Sequence, residues 1–154
     1  MLVRNIERED LNIHYLKLLN ELGAGSTRRN VDIDLGKSWD TFVKNDDHHI
    51  VVCVYGSHVV ATAALIIERK IDCRVAGHIE DVVVSKNHRG SGMGSVLVKE
   101  LMEIAKRENC YKVILDCSFE NITFYRKLGF WKESYGMKTV VHRSENSIGK
   151  TESL

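Results

Sequence analysis

Three glycines at alternate positions in Arg89-Gly90-Ser91-Gly92-Met93-Gly94, set between the run Val82-Val83-Val84 and an amphipathic stretch, constrain this chain more than any other feature. Ahead of the loop the β-branched run reads as the end of a strand. Behind it Leu97, Leu101, Ile104 and Ala105 share one helical face, while Lys99, Glu100, Glu103 and Lys106 point elsewhere. The chain must pass from strand to helix within a few residues, and glycine permits that turn while leaving main-chain amides uncovered. Amides at a helix start, backed by the helix dipole, favour phosphate oxygens. The same glycines would equally serve a plain strand-to-helix turn, and the loop alone does not separate the two. Spacing removes two phosphate motifs. The nucleoside-triphosphate loop needs Gly-Lys-Ser/Thr, but Gly94 is followed by Ser95 and Val96. The dinucleotide fingerprint would start at Gly90 and needs glycine where Ser95 stands.

The rest of the chain fits around this unit. Leu2 to Ile6 reads as a first strand, and Asp10 as the cap of a helix with apolar positions Leu11, Tyr15, Leu18, Leu19 and Leu22, ended by Gly23-Ala24-Gly25-Ser26. Asp34 to Asn45 reads as a second short helix. His49 to Tyr55, the turn Gly56-Ser57 and His58 to Arg69 form a hairpin. Ile79 to Val84 is the next strand, Ser91 to Glu108 the long helix and Lys112 to Cys117 a further strand. Glu120 to Leu128 is a short helix stopped by Gly129, and Tyr135 to His142 a last strand. This order is irregular, so it points to an α+β fold with a mixed sheet rather than a doubly wound one. Residues 1–143 read as a single domain and 144–154 as a polar tail.

Composition excludes several functions. With 22 basic and 21 acidic side chains the net charge is +1, so no field of one sign attracts nucleic acid or an anionic membrane. An anionic ligand must be held locally. No apolar run approaches the ~20 residues of a bilayer span. Cys53, Cys73, Cys110 and Cys117 show no metal-site spacing and read as free, mostly buried thiols in a reducing, cytoplasmic setting. The ending Glu152-Ser153-Leu154 echoes a peroxisomal address but lacks its central lysine.

A third spacing, Arg/Gln-x-x-Gly-x-Gly/Ala, is met by Arg89, Gly92 and Gly94. It is that of the Gcn5-related N-acetyltransferases, in which this loop cradles the coenzyme A pyrophosphate. The flanking blocks Gly77-His78-Ile79-Glu80-Asp81-Val82-Val83-Val84, Cys110 to Cys117 and Asn121-Ile122-Thr123-Phe124-Tyr125 resemble those of the glucosamine-6-phosphate N-acetyltransferases. The likeness runs from about Ile66 to Met137. It implies the family fold, a central mixed sheet flanked by helices, with acetyl-CoA as co-substrate and no metal. It also implies transfer of acetyl to the 2-amino group of D-glucosamine 6-phosphate by direct attack in a ternary complex. The competing readings are an acetyltransferase for a protein or another small amine, and a non-catalytic module that binds acetyl-CoA.

Carried over residue by residue, the resemblance gives the coenzyme to Val82, Val83, Val84, Arg89, Gly90, Ser91, Gly92, Met93, Gly94, Ser95, Asn121 and Tyr125. It gives the sugar to Glu80, Asp81 and Val82, and the sugar phosphate to Tyr111 and Lys112 supplied across a homodimer interface. Catalysis falls to Glu80, Asp116 and Tyr125: a carboxylate to take the proton of the amine, and a phenol to protonate the departing thiolate. Which carboxylate acts is left open. Each residue also has a plainer reading. Successive strand side chains face opposite sides, so Glu80 and Asp81 share a pocket only if the strand bulges, and otherwise are a strand-edge charge pair. Lys112 would be an exposed strand end, and Tyr125 a packing residue. Lys112, Ile114 and Asp116 should lie on one strand face with Cys117 on the other, which argues against an acetyl-cysteine intermediate. The chain departs from the family in two places. Val140 stands where a basic phosphate ligand is expected, with Arg143 the nearest substitute, and Asn20 stands at a threonine position.

Overall fold

The computed structural model describes residues 1–22 and 33–139. In them the elements run β1 (Leu2–Asn5), α1 (Ile13–Leu19), α2 (Leu35–Phe42), β2 (His48–Tyr55), β3 (His58–Arg69), β4 (Val75–Val84), α3 (Met93–Arg107), β5 (Lys112–Ile114) and α4 (Ile122–Lys127). The strands lie in chain order in one sheet. Pairing is antiparallel from β1 to β4, and β5 joins β4 in parallel. This is the mixed, mostly antiparallel α+β sheet expected.

Each face of the sheet buries an apolar layer. On one, Leu97, Val98, Leu101 and Ile104 of α3 pack on Val51, Ala63, Leu65 and Ile79. On the other, Tyr15, Leu18 and Leu19 of α1 meet Val52 and Val83. Leu65, Leu97 and Leu101 are fully buried, so truncating any one to alanine costs about 2–5 kcal/mol.

Several boundaries differ from the sequence reading, each for a tertiary reason. Asn12, not Asp10, caps α1 by accepting the His14 and Tyr15 amides. Asp10 is drawn back to Arg4, at 2.6 and 3.0 Å, and to the Glu7 amide at 2.8 Å. A bidentate guanidinium is a stronger partner than a neutral amide. The Gly23-Ala24-Gly25-Ser26 helix stop lies outside the described residues. β4 begins at Val75, well before Ile79, because Val75 to His78 pair with Arg69 to Ile66. Gly77 lies inside this strand. Here a Cβ on it would come 2.9 Å from Leu65 Cδ1 and 3.3 Å from Val113 Cγ2. Its bareness lets the neighbouring side chains close over β4.

At the C-terminal end β5 stops at Ile114 rather than Cys117. No strand forms over residues 135–139, and the rest of the expected terminal strand, with Val140, Arg143 and the tail, lies outside the described residues. Among the described residues no strand pairs with the outer edge of β5. The thiols are less buried than expected. Cys53 is buried and Cys110 half-buried, but Cys73 and Cys117 are exposed. No helix among the described residues is long and apolar enough to cross a membrane.

Candidate active site

Two irregularities of β4 create a cleft. The first is where its pairing with β5 ends: Ala76, Gly77 and His78 are in register with Lys112, Val113 and Ile114, and the pairing goes no further. From Ile79 onward β4 and the chain after β5 diverge, leaving a wedge. The second is a bulge. Ala64 pairs with Glu80 and Thr62 with Val83, so Ala63 faces both Asp81 and Val82. Asp81 takes φ +51°, the left-handed region that an L residue other than glycine seldom enters. The extra residue lets both Glu80 and Asp81 face the cleft, which regular alternation forbids. Behind the bulge the Tyr15 hydroxyl meets Thr62 Oγ1 at 3.2 Å, and Thr62 donates to the Val51 carbonyl at 3.2 Å.

The cleft encloses about 1030 Å³. Residues 79–84 form one wall and Asp116, Cys117 and Ser118 the other, with the loop of residues 88–95 at one end. In that loop Gly90 and Gly92 adopt φ +77° and +83°, and a Cβ on either would meet nothing within 4 Å. Their amides are sterically open to a ligand. Gly92 also stands immediately before the first turn of α3, so the helix presents its free N–H groups there. Gly94 serves packing instead, since a Cβ on it would lie 3.3 Å from Phe124 Cζ. Its bareness brings the start of α3 against α4.

α4 and the residue before it supply Tyr125 and Asn121, one turn apart, and both line the cleft. Tyr125 is 9% exposed. Its ring is held edge-on by Phe124 at 4.8 Å and Phe130 at 5.9 Å. Burial, and then the neighbouring Cys117, push its phenol up to about 12, so at neutral pH it keeps its proton. The Glu80 carboxyl is also raised, first by loss of solvent, then by the negative charges of Asp81 and Asp116. Three carboxyl groups thus face one space. Asp116 is crowded from outside by Gly136, on which a Cβ would come 2.6 Å from Asp116 Oδ1.

Nearly all the residues singled out from sequence meet in this cleft: Glu80, Asp81, Val82 to Val84, Arg89 to Ser95, Asp116, Asn121 and Tyr125. Tyr111 and Lys112 do not. They lie at the opposite end of β5, both exposed, with the Lys112 ammonium 5.5 Å and the Arg74 guanidinium 5.3 Å from the Tyr111 ring centroid. Cys117 does not point away from Asp116, because the strand has already ended and both line the wedge. Burial and the Asp116 charge raise its thiol, which disfavours the thiolate an acyl-cysteine route requires. Glu21, Leu22, His88, Ser118, Phe124 and Lys127 also line the cleft, and the sequence reading misses them. Packing of separate segments around the wedge brings them in, and no local pattern marks them. Among the described residues no group of three or more His, Cys, Asp or Glu side chains is placed to hold a metal ion.

The site is thus a sheet splayed beside a bulged strand, with a glycine loop at a helix start. The chain belongs to the acetyltransferase (GNAT) family, whose model matches residues 15–130. Its relatives narrow the class. It is 37% identical over 141 residues, covering 88% of this chain and 93% of the other, to glucosamine 6-phosphate N-acetyltransferase of Arabidopsis thaliana. It is 36% identical over 130 residues to the Candida albicans enzyme of the same name, covering 82% and 87% of the two chains. The crystal structure of the Arabidopsis enzyme superposes with a TM-score of 0.83 at 36% identity, covering 92% of this chain and 98% of that one.

Proposed function

We propose that this protein transfers the acetyl group of acetyl-CoA to the 2-amino group of D-glucosamine 6-phosphate, giving N-acetyl-D-glucosamine 6-phosphate and CoA, a step in making UDP-N-acetylglucosamine. The observation that carries the reading is the β4 bulge, which turns the carboxyl groups of Glu80 and Asp81 into the cleft that also holds the open amides of the glycine loop. Residues 1–143 act as one N-acetyltransferase domain, and the reaction needs no metal.

Arg89 to Ser95 hold the pyrophosphate, chiefly through the amides left open at Gly90 and Gly92. The unpaired edge of Val82 to Val84 and the Asn121 side chain hold the pantetheine arm, and a main-chain amide of that edge faces the oxyanion. Glu80, Asp81 and Val82 contact the sugar. The amine attacks the thioester carbon; its proton passes to Glu80 or Asp116, and the C–S bond breaks. A raised Glu80 is the stronger base for that proton once ionised. Tyr125, kept protonated, donates to the departing sulfur. With the phenol near 12 and a thiol ordinarily near about 8.5, complete transfer is uphill. The same burial that raises the phenol also raises a thiolate beside it, so the donated hydrogen bond stabilises the leaving group before the proton moves.

Tyr111 and Lys112 would hold the sugar phosphate of a second subunit, which accounts for their distance from the cleft of their own chain. The working unit is then a homodimer, and the setting the cytoplasm. Thiol release from acetyl-CoA, measured with glucosamine 6-phosphate, glucosamine and lysine peptides as acceptors, tests the reading. Saturation with glucosamine 6-phosphate and none with peptides supports it. Preference for peptides would move the activity to proteins, and CoA binding without thiol release would leave only a binding module.

A further inference from the structure

The cleft carries a carboxylate at the place where an anion is to bind. Glu21, just beyond α1, lines it beside the glycine loop. Its Oε2 accepts the Lys86 main-chain N–H at 2.8 Å and stands 3.7 Å from Nη2 of Arg89. The Arg89 Nε donates to the Val84 carbonyl at 3.2 Å. The guanidinium is therefore held on two sides by the protein's own acceptors, along β4. The two contacts of Glu21 differ in strength. The Lys86 bond is of full hydrogen-bond length and fixes the carboxylate, whereas 3.7 Å to Arg89 is an ion pair without a hydrogen bond, readily exchanged. Arg89 and Lys127 are the two lysine or arginine side chains among the described residues lining the cleft, and Glu21 is the carboxylate that stands against Arg89.

We propose that Glu21 is a positioning residue of the coenzyme cradle that stands in for pyrophosphate at Arg89. With the cleft empty it holds the guanidinium and the Lys86 amide in place. An arriving phosphate takes Arg89 from it, and as CoA leaves Arg89 returns to Glu21. One guanidinium cannot serve both anions fully, and the two negative charges repel across a partly desolvated space. Coenzyme affinity is accordingly lower, and product release faster, than the amide cradle alone would give. The inference rests on the coenzyme-binding part of the proposed function and is independent of the sugar acceptor.

The test is a cycle of CoA titrations, by calorimetry, on the full chain: unsubstituted, Glu21→Gln, Arg89→Met and the double variant. Glutamine keeps an oxygen for the Lys86 amide and removes only the charge. The expected result is CoA binding tighter by about fivefold in Glu21→Gln, the size of a partly exposed ion pair. In the Arg89→Met background the same change should shift affinity by less than about twofold. Stronger product inhibition by CoA should accompany the tighter binding. A merely structural Glu21 would give weaker binding on substitution, and that result, or no change, overturns the proposal. Equal tightening with and without Arg89 overturns it too, because the effect would then be general charge repulsion. If the unsubstituted protein fails to bind CoA, the coenzyme reading falls and takes this inference with it. If it binds CoA but ignores Glu21→Gln, only this inference falls.

Discussion

At the scale of single residues, burial raises the proton affinities of two groups facing the cleft, the Glu80 carboxyl and the Tyr125 phenol. The Tyr125 phenol, raised to about 12, cannot act as a base at neutral pH and is suited to donate. Tyr125→Phe should lower kcat by about 10²–10⁴-fold while leaving both KM values nearly intact; a loss below about threefold would make Tyr125 a packing residue. Glu80 is raised in part by Asp81. A base with a raised value is ionised only at higher pH, so the acid limb of kcat/KM should lie above the ordinary glutamate position if Glu80 is the base. Asp81→Asn removes the negative charge that raises Glu80 most, and asparagine tolerates φ +51°. The acid limb should then move to lower pH, and an unmoved limb would assign the proton to another group. These chemical types are legible in sequence; their relative placement is less so. Aspartate favours helix starts, which makes Asp10 look like a cap, yet Arg4, six residues back, competes for it at 2.6 Å. Strand alternation sets Cys117 opposite Asp116, but the alternation ceases at Ile114.

At the scale of elements, what can be read are features with a local cause. The α3 face, the Gly56-Ser57 hairpin turn and the Gly129 cap at φ +90° follow from periodicity and glycine chemistry. The need for a bulge at Glu80-Asp81 is also legible, as a condition: two adjacent charges can share a pocket only if the strand gains a residue. The start of β4 at Val75 and the short β5 are not legible, because both depend on which strand lies alongside. The glycine loop gives the clearest test at this scale. Gly92 combines φ +83° with open space around its missing Cβ. Gly92→Val should fold with some loss of stability, because a β-branched residue is strained there, and should raise the KM for acetyl-CoA sharply. Unchanged coenzyme affinity in the folded variant would remove the loop from the binding site. Gly136 offers a second test. In Gly136→Ala the new methyl has to displace the Asp116 carboxylate, since it would otherwise lie 2.6 Å from Oδ1. If Asp116 takes part in the chemistry, kcat should fall with little change in coenzyme affinity as measured by titration.

At the scale of the whole molecule, several large apolar side chains between residues 119 and 137 are exposed. Phe119, Trp131, Tyr135 and Met137 are each more than three-quarters exposed, and apolar side chains of this size are of the kind a partner surface covers. Together with the distance of Lys112 from the cleft, this supports sites shared between two subunits. Mixing Lys112→Ala with Tyr125→Phe, each inactive alone, should restore part of the wild-type rate after refolding together, because one hybrid site is then intact. An active monomer by light scattering, or no recovery on mixing, would refute sharing. None of this surface is legible in the sequence beyond the resemblance, since the alternation over Tyr135 to His142 suggests a strand within the chain instead. The early parting of β4 and β5 has a final consequence. Paired with β5 only as far as His78, the sheet is left one row of rungs short, and under the proposed binding mode the coenzyme's amide groups would supply them as a missing piece of secondary structure. Amide hydrogens of Val82 to Val84 that face the wedge should exchange with solvent freely in the empty protein and become protected when CoA is bound, while those of Ala76 to His78 stay protected in both states.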